Sequence, residues 1–299
     1  MASSNLPRRS LLAIFGPTAS GKSALAGELR ERLGATVISA DSGALYRGLP
    51  ILTAAPDYPT ELVGVLELDE DASVAWYQVE AQAAIDCSER PLVVGGTGLY
   101  FRAALTKLEL PPPPADGVRA RWEETYDSLG AEGAHAMLAE RDPEAAVRVH
   151  PNDRRRVVRA LELAEAGHSL AGDRLWTEHP RVPTTVVCLD LPLDELDARI
   201  DERTRAMVDR GAIQEALTAW GRPLSETARR VLGLEQFATL PDEEAIEAVS
   251  AATKRLARYQ RKWMRSLAGS VTLDGGRAVG ELADEVVALE RSGEHLSRR

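Results

Sequence analysis

The chain has 299 residues, enough to bury one large core or two modest ones. Its formal charge of −10 excludes a protein that coats nucleic acid non-specifically, while leaving room for a nucleic-acid enzyme with a local basic groove. With 44% hydrophobic residues, no apolar run of membrane-span length and no apolar signal core in Met1–Ser10, a cytoplasmic protein without a membrane partner is expected.

The first element is an apolar strand, Leu11–Phe15. It runs into Gly16, Pro17, Thr18, Ala19, Ser20, Gly21, Lys22 and Ser23, after which Leu25, Leu29 and Leu33 recur at helical spacing. Strand, glycine-bounded loop and helix are the context that gives G-x-x-x-x-G-K-[ST] its meaning. The glycines let successive amides converge on a phosphate, the helix N-terminus adds its positive end, Lys22 adds a cation and Ser23 offers a hydroxyl to Mg²⁺. A polyphosphate site is therefore predicted at residues 16–23, with Ser23 as the metal-side residue.

A second buried strand, Ala35–Ala40, ends at Asp41 and Ser42. Ligands of open α/β sheets bind outside the carboxyl ends of the strands, which places Asp41 beside the phosphate loop. There it is a metal ligand, a general base or a helix cap. Tyr46–Gly48 and Thr53–Pro56 read as an ordered loop and Val63–Leu68 as a further strand. Ser73–Ile85 has helical spacing. Pro91–Val94 is a third buried strand leading into Gly95, Gly96, Thr97 and Gly98, a turn whose glycines permit close approach of a ligand. The two cysteines, Cys87 and Cys188, lack metal-ligand spacing and read as small buried hydrophobes.

Four prolines at 111–114 break the α/β alternation. Candidate helices follow at Arg119–Leu129, Gly133–Arg141, Glu144–Val149 and Asp153–Ala166, closed by a loop at Thr177–Pro183. Arg148, Arg154, Arg155, Arg156 and Arg159 place five arginines in twelve residues against one carboxylate, Asp153. On so acidic a chain, that concentration suggests a phosphate-bearing partner. Strand grammar returns at Thr184–Pro192, followed by a helix from Leu193 to about Arg210 with Gly211 as its C-terminal cap. In a long helix, Asp242 to about Ser266, Lys254, Arg258, Arg261 and Arg265 form one cationic stripe, and Tyr259 and Trp263 share another face assigned to packing. Ser270–Asp274 is a short strand; Arg277–Arg299 is an amphipathic helix and polar tail. The expected fold is α/β, a phosphate-loop parallel sheet at 1–110 and 184–275, with an all-helical insertion at 111–183 and a C-terminal helix and tail at 276–299.

The motifs GPTASGKS, ADSGALYRGLPILTAAP, VVGGTGLYFRAAL, HPNDRRRVVRALE, ARIDERTRAMVDRG and ATKRLARYQRKWMRSL, in that order, resemble the bacterial tRNA dimethylallyltransferases, also called tRNA isopentenyltransferases. The resemblance spans roughly Leu11 to Leu267. It implies Mg²⁺-dependent transfer of a dimethylallyl group from its diphosphate to the exocyclic amine of the adenosine 3′-adjacent to a tRNA anticodon, by a cytoplasmic monomer. By the same resemblance, Asp41 takes the proton of the amine, Thr18 lies near the reacting groups, and Arg203 contacts the diphosphate. Ser42, Gly43, Ala44 and Thr97 meet the flipped nucleotide and its neighbours, and Arg119, Arg155, Arg156 and Arg159 grip the anticodon stem-loop. The chain departs from the family pattern in having Ala44 for glutamine, Leu52 for glycine and Leu234 for tyrosine; Arg155 and Lys254 also differ, and a histidine pair is absent near Val63–Val65. None of these touches Lys22, Ser23, Asp41 or Arg203. A phosphate-loop small-molecule kinase and a non-catalytic tRNA-binding scaffold are the alternatives.

Overall fold

The computed structural model describes residues 10–111, 113–170 and 180–292. The chain divides into two compact units, Met1–Lys107 with Glu178–Arg299, and Leu108–Thr177.

The first unit carries strands β1 (Leu11–Phe15), β2 (Thr36–Ala40), β3 (Pro91–Gly95), β4 (Thr184–Asp190) and β5 (Val271–Asp274). Among the described residues they form one parallel sheet in the order β2-β3-β1-β4-β5. Continuous apolar runs such as Leu11–Phe15, buried throughout, suit strands covered on both faces. Helices α1 (Lys22–Leu33), α2 (Val74–Cys87) and α3 (Gly98–Leu105) follow β1, β2 and β3. Alternation along β1 sorts the layers: Leu12 and Ile14 join Leu25, Ala26 and Leu29 of α1, whereas Phe15 meets Phe101 of α3 edge-on at 5.0 Å.

The helical unit contains α4 (Val118–Arg141), α5 (Pro143–Arg148) and α6 (Arg154–Glu165). Trp122, Tyr126, Ala134 and Leu138 recur at multiples of four and pack on Val157, Val158 and Leu161 of α6. The two helices expected at 119–129 and 133–141 are present as the two arms of α4, joined across a kink at Gly130, whose φ of 70° lies outside the helical region. Asp153 caps α6, its carboxylate accepting from Arg156 N at 3.2 Å.

Back in the first unit come α7 (Leu193–Asp209), α8 (Ala212–Trp220), a 3₁₀ turn at Ala228–Arg230, α9 (Leu234–Thr239), α10 (Asp242–Met264) and α11 (Val279–Ser292). Gly211, at φ 98°, ends α7 and caps the start of α8. The cationic stripe of α10 faces acids contributed by α7 and β4. Lys254 pairs with Asp201 at 2.6 Å, Arg258 with Asp197 at 2.7 Å and Arg261 with Asp190 at 2.8 Å. The descending order of the acids makes the two helices antiparallel.

Several expectations are corrected. Val63–Leu68 is not a strand; isolated bridges join Glu61 to Ile38 and Leu66 to Tyr46, so the segment braces the loop after β2. The C-terminal helix is no separate appendage, because Leu282, Ala283 and Val286 of α11 lie in the core beside α1. Cys188 is buried, its thiol pushed up to about 11 by that burial, but Cys87 is exposed. Residues 177–179 of the predicted closing loop and 293–299 of the tail lie outside the described residues.

Candidate active site

The chain leaves β1, goes out to β2, returns to β3 beside β1, and later places β4 on the other side. That reversal makes the carboxyl end of β1 a topological switch point, where a ligand crevice is expected. A cleft of about 310 Å³ opens there, lined by Thr18–Ala19 and Gly21–Ser23 of the phosphate loop, by Asp41 and Ala44, by Gly95–Gly96, and by Arg203 and Gln260.

The loop is held in a strained, purpose-shaped conformation. Ala19 takes φ 65°, a left-handed value unusual for a side chain with a Cβ, and Gly21 takes φ 93° as the cap of α1. The amides of Lys22 and Ser23 begin α1 and have no intrahelical acceptor, so they and the helix's positive end face an incoming anion. Gly16, Pro17 and Ser20 form the underside. A Cβ on Gly16 would fall 2.4 Å from Leu189 O, Pro17 O accepts from Lys22 Nζ at 2.6 Å, and Ser20 is fully buried.

Two cations and one carboxylate share this cleft. Burial pushes the Lys22 ammonium down to about 7, partly countered by Asp41 and reinforced by Arg203. Arg203, delivered by α7, donates from Nη2 to Thr18 Oγ1 at 2.6 Å, and its Nε is buried with no partner among the described residues. Its guanidinium is also pulled down by burial, opposed by Asp41. Asp41 Oδ1 accepts from Gly43 N at 3.0 Å and caps a turn; no helix starts there. Ser42 N donates to Thr97 Oγ1 at 3.2 Å, joining the ends of β2 and β3 as predicted partners in one place.

Thr53–Pro56 supply a further wall of the cleft. Glu215 of α8 fixes it by accepting from Ile51 N at 3.0 Å and Leu52 N at 2.8 Å, and Tyr58 ties it to α1 by donating to Ser23 O at 2.7 Å. The departures Ala44, Leu52 and Leu234 are all buried.

The glycines at the end of β3 carry a second constraint beside the one expected. A Cβ on Gly95 would lie 2.2 Å from Ala40 O, one on Gly96 2.3 Å from Gln260 Nε2, and one on Gly98 2.1 Å from the Trp263 ring. They admit protein, chiefly α10, as well as bordering the cleft. Gln260, which the sequence reading did not single out, accepts from Thr18 N through Oε1 at 2.8 Å. Trp263 packs as expected, while Tyr259 is half exposed.

In the helical unit, Arg119 and Arg159 converge on Glu162. Arg119 Nε lies 2.7 Å and Arg159 Nη1 2.9 Å from its carboxylate, whose side chain is 1% exposed. Burial alone would raise this carboxyl, but the two guanidinium hydrogen bonds outweigh it and hold the group below the ordinary range. Arg154 pairs with Asp127 at 2.7 Å and Arg156 with Asp153 at 3.5 Å; Arg155 also lies on α6. The cluster therefore has more acids beside it than the single Asp153 visible in the local sequence.

A glycine-bounded loop at a parallel-sheet switch point, with Lys22, Arg203 and Asp41 in one cleft, gives the chain the architecture of the phosphate-loop α/β class. The family model described as IPP transferase matches residues 44–267. The chain is 41% identical to the tRNA dimethylallyltransferase of Kineococcus radiotolerans, over 89% of this chain and 90% of that one. It is 38% identical to that of Mycobacterium tuberculosis, over 94% and 98%. Among solved structures, the tRNA isopentenylpyrophosphate transferase of Bacillus halodurans superposes with a TM-score of 0.70 at 30% identity, covering 96% of this chain and 97% of that chain. A eukaryotic dimethylallyltransferase acting on tRNA superposes at 0.79 with 23% identity, covering 95% and 79%, a likeness of fold. The chain belongs to the IPP transferase family.

Proposed function

We propose that the protein transfers a dimethylallyl group from dimethylallyl diphosphate to the exocyclic amine of the adenosine 3′-adjacent to a tRNA anticodon. The observation that carries this reading is the convergence of Lys22, the Thr18–Arg203 pair and Asp41 on one cleft. It provides charge stabilisation for a diphosphate and a proton acceptor beside it.

In the reaction, a bond forms between the adenine amine and the allylic carbon, and the carbon–oxygen bond to the diphosphate breaks with its electron pair. Negative charge leaves with the diphosphate, and Lys22, Arg203 and the first amides of α1 stabilise it. The amine nitrogen is a poor nucleophile because its lone pair is delocalised into the ring. Asp41 accepts the proton that this nitrogen loses as the new bond forms. The target base leaves its stack to reach such a cleft. The residues present fit Mg²⁺ held mainly by phosphate oxygens. Ser23, in the first turn of α1, offers one hydroxyl, and among the described residues no cluster of three acidic, His or Cys side chains forms a site of its own. When bound there, Mg²⁺ would neutralise charge on the leaving diphosphate. The exposed guanidinium of Arg156 and its neighbours on α6 supply phosphate contacts to the RNA stem.

The test is mass spectrometry of an unmodified tRNA with adenosine at that position, incubated with protein, Mg²⁺ and dimethylallyl diphosphate. A gain of one prenyl unit on that nucleoside, abolished by Lys22→Ala, is expected. An unchanged RNA would overturn the reading, and phosphoryl transfer from ATP to a small molecule would replace it with a kinase.

A further inference from the structure

Gln260 sits on α10 and is 4% exposed, yet it borders the cleft. Its carboxamide has one possible orientation. Oε1 must face Thr18 N, because an N–H can donate only to the oxygen, and the 2.8 Å contact fixes that end. Nε2 is thereby turned the other way, over Gly96, where an added Cβ would come within 2.3 Å of it. Within the described residues, Nε2 donates to no protein group. An amide nitrogen with two N–H bonds, held in place on the cleft lining and without a protein acceptor among the described residues, is free to donate to a ligand that enters the cleft. One turn along, Trp263 occupies the equivalent space over Gly98, so the face of α10 that carries Gln260 is seated on the β3–α3 turn and does not swing.

We propose that Gln260 is a binding residue for the donor's diphosphate, presenting its Nε2 hydrogens to the anion's oxygens while its Oε1 holds Thr18 in place. The inference rests on the reading of this cleft as a diphosphate site. The acceptor class follows from the neighbours: Lys22, Arg203 and the first amides of α1 are all donors around the same space. Thr18 is the hub, since its N–H is taken by Gln260 and its hydroxyl by Arg203 at 2.6 Å. Gln260 thus acts on the anion directly and on Arg203 through Thr18. Gly96 belongs to the same device, because no larger residue leaves room for the amide nitrogen.

Gln260→Glu separates these roles. The carboxylate is nearly isosteric and still accepts from Thr18 N, but it exchanges the two donors for a negative charge. Binding of inorganic diphosphate in the presence of Mg²⁺, read by calorimetry, is expected to weaken about 10- to 100-fold, the range for losing a hydrogen bond to a charged group. KM for dimethylallyl diphosphate rises in parallel, while tRNA affinity and melting temperature stay near wild type. Should that variant fold poorly, Gly96→Ala gives a second route. It is expected to weaken diphosphate binding by expelling the amide, and to add little in a Gln260→Ala background. Wild-type diphosphate binding by Gln260→Glu, fully additive losses in the Gly96/Gln260 pair, or a rise confined to the tRNA KM would each overturn the proposal; the last would assign Nε2 to the nucleoside. Because inorganic diphosphate is the probe, wild-type protein that binds it but prenylates no RNA refutes the proposed function and leaves this inference standing.

Discussion

Asp41→Asn is the most informative single change. In the wild type, Oδ1 accepts from Gly43 N at 3.0 Å, and the carboxylate's charge partly counters the burial that depresses Lys22. Asparagine keeps the first of these, because its carbonyl oxygen can take the Gly43 N–H in the same place. It loses the second, together with the capacity to accept a proton. Removal of a general base costs about 10²- to 10⁴-fold in the chemical step, so single-turnover prenyl transfer with enzyme in excess should fall at least ~10²-fold. Donor affinity should fall more modestly, because Lys22 is then charged a smaller fraction of the time. Affinity for tRNA, measured by filter binding, should stay close to wild type. Asp41→Ala loses the Gly43 bond as well, adding about 1 kcal/mol of local destabilisation. A transfer rate retained by Asp41→Asn but lost by Asp41→Ala would refute the reasoning, since it would reduce Asp41 to the anchor of a turn.

Further outcomes follow from the electrostatics. Lys22 is held at about 7 in the folded protein, well below its ordinary 10.5, so between those values the unfolded chain keeps a proton that the folded chain has released. Relative to Lys22→Met, stability should therefore rise with pH across that window. Diphosphate, which favours the ammonium, should bind with proton uptake and lose affinity as pH climbs above about 7. Calorimetric titrations at about pH 8, a unit above the folded value, in buffers of different ionisation enthalpy check this; absence of uptake beyond that of Lys22→Met would refute it. In the helical unit, Arg119→Ala with Arg159→Ala strips the cations from buried Glu162. That should cost about 3–5 kcal/mol, seen as faster hydrogen exchange in α4 and α6. Arg156→Ala, whose side chain is 63% exposed, should leave exchange unchanged and lower the salt slope of tRNA binding by about one. An unchanged slope returns Arg156 to an ordinary solvated position.

The parts of the site that are contiguous in the chain were readable from it. Gly16–Ser23 carries its own strand–loop–helix context, and Asp41 is located by the rule that places ligands at the carboxyl ends of strands. The parts formed by pairing were not. Arg119 meets Glu162 only because α4 packs on α6, whereas Arg159 reaches the same carboxylate locally, three residues away on one helix, and the apolar spacing of α11 reveals a face without revealing that α1 covers it. Val63–Leu68 looked like a strand because short apolar runs do not distinguish a sheet strand from a bridged loop. Gln260 lies 242 positions from Thr18, within the basic run RYQRKW, where it reads as one more solvated polar residue. A signal did exist. Gln260 and Trp263 are three apart, and Gly96 and Gly98 two apart, so a helix face and a turn carry a matching large–small pair.

That pair also explains the cationic stripe of α10, whose ion pairs are weak as sources of stability. Their side chains are 22–48% exposed, and such contacts contribute about 0–1 kcal/mol each. What the three pairs specify is register. Asp201, Asp197 and Asp190 meet Lys254, Arg258 and Arg261 in antiparallel order, and a slip of one helical turn, about 5.4 Å, would break all three. The same slip would carry Gln260 away from Thr18 N while Arg203, on α7, stayed at Thr18 Oγ1. The ladder thus fixes two helices so that one residue of the phosphate loop is gripped at its amide by α10 and at its hydroxyl by α7. Charges set out along α10 beside Gln260 add to the register at which Thr18 is held, though each contributes little to stability.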